Sequence, residues 1–65
     1  MPDFTLRDEG SLFLLRPNTD EAVMWCESFV EPEAQWFGGA LVVEPRYVEA
    51  IALGIVADGL EIEEG

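Results

Sequence analysis

Lysine and histidine are absent from this 65-residue chain, and cysteine occurs once. Each absence removes a class of chemistry. Without histidine there is no Ser-His or Cys-His pair and no zinc-finger spacing, and without lysine there is no Schiff-base donor or amine base. A single cysteine, Cys26, excludes an internal disulfide; it reads as a small buried hydrophobe on a helix, and a lone free thiol fits a reducing cytoplasm. No stretch matches the twelve-residue calcium loop with its central glycine, and the "EIEEG" tail offers only loose divalent contact. Paired carboxylates carry no catalytic signal, because in so acidic a chain some fall close together by chance. The expectation is therefore a protein that is not an enzyme, with no catalytic residues, no metal and no cofactor.

Long apolar runs are missing too, and "MPDFTLRDEG" lacks both the basic start and the apolar core of a signal peptide. A soluble protein not exported by that route is expected. The chain has room for one domain, residues 1–65, with about 61–65 a partly frayed tail. At this length folding buries only about 60% of the surface the unfolded chain exposes, so stability is marginal without an added constraint.

What the chain has in excess is negative charge. Fourteen Asp and Glu stand against three Arg, a formal net of −11. Self-repulsion on that scale lowers folding stability while raising solubility. Three explanations are open: adaptation to a high-salt cell, plain solubility, or a surface built to face a basic partner. Such a chain is repelled by nucleic acid and anionic membranes, and is steered toward sites that normally hold phosphates. Disorder is opposed by a hydrophobic content of 49%, which includes two Trp and four Phe.

"DFTL", "RDEG" and "SLFLLR" predict two strands joined by a turn at Asp8, Glu9 and Gly10. Leu12 and Leu14 alternate with Phe13 and Leu15, so the second strand is apolar on both faces, as central strands covered on both sides are. "PNTDEAVMWCESFVEP" predicts a helix capped by Asn18 or Thr19, with Asp20 and Glu21 in its first turn and Pro32 as its stop. Its core side would be Ala22, Val23, Trp25, Cys26, Phe29 and Val30, and its outer side Asp20, Glu21, Met24, Glu27 and Ser28.

"WFGGALVV" predicts one strand ending at Val43 with its glycines at the beginning. Glu44 sits near a helix cap, Pro45 takes the first helical position, and Gly59 ends the helix. Tyr47, Val48, Ile51, Ala52, Ile55 and Val56 form the expected core face; Arg46, Glu49, Ala50, Leu53 and Ala57 lie opposite. Leu53 and Ala57 are a candidate oligomer patch. "LEIE" alternates as a half-exposed strand. The expected fold is α+β in the order β-β-α-β-α-β, two helices on a small, mainly antiparallel sheet. Either the helices take one sheet face each, or a second chain covers the apolar remainder.

Gly38 and Gly39 do not make a phosphate loop, because they precede their strand and Glu44-Pro45 stands where amide donors would be needed. A bulge, or a close backbone approach to Trp36 or Phe37, is the expected role. The carboxylates are the better candidate site: Asp8, Glu9, Asp20, Glu21, Glu27, Glu31, Glu33, Glu61, Glu63 and Glu64. Asp20 and Glu27 share a helix face about 10.5 Å apart. Glu61 and Glu63 would be separated by roughly 6.7 Å along a strand, about two nucleotide rises on one DNA strand. Rows of charge at these spacings can occupy a groove that normally holds a phosphate backbone, and the same residues also serve as solvated faces.

With "QWFGGALVVEPRYVEAIALGIVADGLEI" the whole resembles the short acidic anti-CRISPR proteins of phages and mobile elements that mimic DNA, with a type I-C system as the target. The resemblance implies a non-enzymatic inhibitor, acting in the cytoplasm of a bacterial host as monomer or homodimer. Its partner would be a basic DNA-binding, PAM-reading site on a Cas subunit, with no direct contact to nucleic acid or membrane. The alternatives from charge and patterning alone are a small oligomerising structural or regulatory module, or an acidic antitoxin-like protein bound to a basic partner.

Overall fold

The computed structural model describes residues 1–29 and 33–65. The first two strands, β1 (Phe4–Asp8) and β2 (Phe13–Pro17), form an antiparallel pair in which Leu6 faces Leu15 and Asp8 faces Phe13. The turn between them forms as the sequence indicates, with the Asp8 carboxylate accepting from the Gly10 amide at 2.8 Å. Helix α1 (Asp20–Phe29) follows. Thr19 is its cap, the hydroxyl accepting from the Ala22 amide at 3.1 Å. Val30, expected on the core side, and Pro32, expected as the stop, lie outside the described residues.

The segment expected as one strand is a hairpin. Strand β3 (Trp36–Phe37) turns through Gly38 and Gly39 into β4 (Ala40–Val43), and the two pair antiparallel. Both glycines have positive φ, 56° and 82°. That is the geometry of the two-residue turn whose twist matches the flanking strands, and it is why glycine stands twice here. A side chain placed on Gly38 would meet nothing within 4 Å beyond its chain neighbours, so close approach to Trp36 is not the reason for it.

Helix α2 (Pro45–Ala57) starts at Pro45 and ends before Gly59, whose φ of 81° fits the left-handed residue expected there. Strand β5 (Ile62–Glu64) then pairs parallel with β1. The tail expected to fray in part thus includes a strand, and the Gly65 amide donates to the Leu6 carbonyl at 2.9 Å. The element order is β-β-α-β-β-α-β in an α+β single domain. The sheet runs β3-β4-β2-β1-β5, with three antiparallel pairings and one parallel.

Both helices lie on the same face of this sheet. One cluster joins Phe4, Leu6, Leu15, Leu41 and Val43 of the strands to Ala22 and Cys26 of α1 and Ile55 of α2. Phe4, Leu15 and Ile55 are wholly buried, each contributing about 1.5–3 kcal/mol by leaving water. β2 is central as expected but covered on one side only, which corrects the expectation of two covered faces. The helical core faces are also narrower than their apolar stripes: Val23, Phe29, Tyr47 and Val56 are exposed. A sheet of such short strands is too small to cover stripes that wide. Among the described residues no helix is long and apolar enough to cross a membrane.

Candidate functional site

The described carboxylates divide by what they touch. Five are tied into the scaffold. Asp3 accepts from the Thr19 hydroxyl at 2.8 Å and from the Glu61 amide at 2.9 Å, joining the entrance to β1, the cap of α1 and the approach to β5. The Glu61 amide first, and the Thr19 hydroxyl second, hold its carboxyl below the ordinary aspartate range. Asp58 accepts from the Trp25 indole at 2.7 Å, which fixes that ring against the end of α2. Asp8 closes its turn, Glu9 pairs with Arg7 at 2.6 Å, and Glu44 pairs with Arg46 at 2.9 Å. The two ion pairs are exposed and contribute about 0–1 kcal/mol each.

The other eight described carboxylates are Asp20, Glu21, Glu27, Glu33, Glu49, Glu61, Glu63 and Glu64. Among the described residues none of their side chains makes an ion pair or a hydrogen bond, and all eight residues are exposed. Among the described residues no arginine forms an ion pair with any of them. Arg7 and Arg46 are engaged with the glutamate two residues away in sequence, and Arg16 donates to the Gly38 carbonyl at 3.0 Å. Arg46 also lies over the Tyr47 ring, 4.8 Å from its centre.

Seven of these eight belong to the acidic set expected from the sequence. Asp20 and Glu27 share an outer face of α1, at the 10.5 Å rise that about seven helical residues give. Glu61 precedes β5, so the strand spacing expected between Glu61 and Glu63 holds only from Ile62 onward. Within β5, Glu63 stands level with Thr5 on the uncovered sheet face, and Glu64 stands level with Leu6. Asp8 and Glu9, also expected in the set, are occupied locally at the β1–β2 turn. Glu31 lies outside the described residues. Glu49 adds an exposed carboxylate on α2, where the sequence indicates an almost uncharged surface. Leu53 and Ala57 are exposed on the same helix.

Between the helices runs an apolar cleft of about 670 Å³. Trp25, Phe29, Leu41, Tyr47 and Ile51 line it, with Glu33 and Glu44 also at its surface. Trp25 packs edge-on against Phe4 at 5.7 Å and lies 5.2 Å from Phe29. A side chain at Gly54 would sit 3.5 Å from the indole, in ordinary van der Waals contact with it. Cys26 is buried beneath α1, and burial first, with Glu27 second, pushes its thiol pKa up and away from reactivity. No three Asp, Glu or Cys side chains among the described residues come together as a metal site. The arrangement supplies negative potential and an apolar cleft.

Sequence patterns identify the exposed carboxylates because helix and strand periodicity mark outward positions. They miss Asp3 and Asp58, whose partners lie 16, 58 and 33 residues away and leave no local signature. No family model, no curated protein and no solved structure matches this chain.

Proposed function

We propose that this chain is a non-enzymatic inhibitor that mimics DNA, blocking the basic, PAM-reading DNA site of a type I-C CRISPR interference complex in the cytoplasm of a bacterial host. The observation that carries the reading is the set of eight exposed carboxylates without partners among the described residues, standing beside five that the scaffold uses. Two of the three arginines pair with a glutamate two residues away and the third donates to a backbone carbonyl, so none is paired with these eight. Uncompensated carboxylates on α1, after it and on β5 leave a negative field that a phosphate-binding groove attracts.

The test is binding to a purified type I-C interference complex across a salt series. Both partners carry large opposite charges, so affinity should fall steeply with salt. The double variant Glu27→Lys, Glu33→Lys replaces exposed residues. It should weaken binding about tenfold or more at low salt and flatten the salt slope. Binding with unchanged affinity and slope would remove this face from the proposal.

A further inference from the structure

The sheet face opposite the helices is uncovered, and its composition differs from the rest of the surface. The strand register places Thr5 and Arg7 of β1, Leu14 and Arg16 of β2, Val42 of β4 and Glu63 of β5 on it. Ala40 and Phe37 belong to it through the β3–β4 pairing. Ala40 is 1% exposed yet stands outside the core cluster, because the Arg16 side chain reaches past it to the turn at Gly38. Leu14 and Val42 form a half-buried centre, and Phe37 at the edge is 69% exposed.

Charge on this face is balanced. Arg7, which closes on Glu9, and Arg16 stand on the same face as Glu9 and Glu63, so its formal charges sum to zero although Glu63 forms no ion pair among the described residues. The remaining charge of −11 therefore lies elsewhere: on the helix layer, the loops and the chain's edges. A basic partner gains little here, whereas a like-charged molecule can approach this face without meeting a net negative charge.

We propose that this face packs against the same face of a second copy of the chain, forming a two-fold dimer with its helices and their acidic side chains outward. Self-docking requires a patch complementary to itself. A neutral face with an apolar centre and charges of both signs meets that condition. Layers about 10 Å thick put the helical carboxylates of the two copies roughly 30 Å apart, well beyond the screening length of about 8 Å at physiological salt. The five strands hold 19 residues, which at about 3.4 Å rise and about 4.8 Å spacing give a flat area of roughly 300 Å². That is below the approximately 800 Å² per partner of standard interfaces, so the dimer is weak and concentration dependent.

Sedimentation and light scattering of the purified chain from 10 μM to 1 mM test this without any other component. The expected mass rises from the 7.2 kDa of one chain toward twice that value. Leu14→Glu places a carboxylate at the centre of the contact and should raise the dimer dissociation constant about tenfold or more. Phe37→Glu, at an exposed edge position, gives the same direction if Leu14→Glu disturbs folding. Leu53→Asp on the outer side of α2 should leave the dimer intact. A monomer throughout the range overturns the proposal, as does a dimer that Leu53→Asp dissolves and Phe37→Glu does not. The inference stands apart from the proposed inhibitor function, because a monomeric inhibitor and a dimer without inhibitory activity give different results in the two experiments.

Discussion

Asp3 shows how much of this fold rests on one carboxylate near the start of the chain. Its two oxygens accept from Thr19 and Glu61, so three chain segments meet at a single side chain. Asp3→Ala should lower the urea midpoint at neutral pH. Because the folded pKa is depressed from its ordinary value of 3.8, this stabilisation is present above that value and is lost as pH falls through the lowered one. The midpoints of the parent and Asp3→Ala should therefore converge in acid. A gap that stays constant from pH 7 to pH 2 would show that the carboxylate's charge does not matter. At this scale the sequence is informative wherever the partner is near. Thr19, Asp20, Pro45 and Gly59 take the helix-end roles their residue types suit, while Asp3 and Asp58 depend on contacts that only the tertiary fold creates.

The elements differ from sequence expectation mainly at "WFGG". Apolar residues on both sides of the glycines read as one strand, because period-two alternation does not reveal a turn only two residues long. The structure spends Gly38 and Gly39 on reversing the chain, which adds a fifth strand and sets Trp36 beside Leu41. Asparagine favours the first position of this turn, so Gly38→Asn should leave stability within about 0.5 kcal/mol of the parent. Gly39→Val forces a β-branched residue to a φ of 82° and should cost about 1–3 kcal/mol by denaturant titration. Equal stability of the two variants would contradict the turn. The helical stripes were legible as stripes, yet their burial was not. How much of Phe29, Tyr47 and Val56 is covered depends on the width of the layer beneath them, a property no single helix encodes.

For the whole molecule, the layout separates a largely acidic helix layer from a sheet face whose formal charges sum to zero. The helix layer and β5 carry unpaired carboxylates, Glu63 among them on the open sheet face, where Arg7 and Arg16 bring the formal sum to zero; the core lies between the helices and the sheet. The acidity itself was legible from composition, as was the outward placement of most of its members. Which carboxylates are engaged and which are free was not, because that division depends on Arg7, Arg46, Trp25 and Thr19 arriving at particular places. The central claim is that the unpaired carboxylates occupy the site where a partner holds duplex DNA. Competition binding tests it most directly: the chain is bound to the purified type I-C interference complex, and a duplex carrying the PAM is titrated in at fixed salt. Mutual exclusion is expected, with the apparent affinity for the chain falling in proportion to DNA occupancy. A stable ternary complex holding both the chain and the duplex would contradict it.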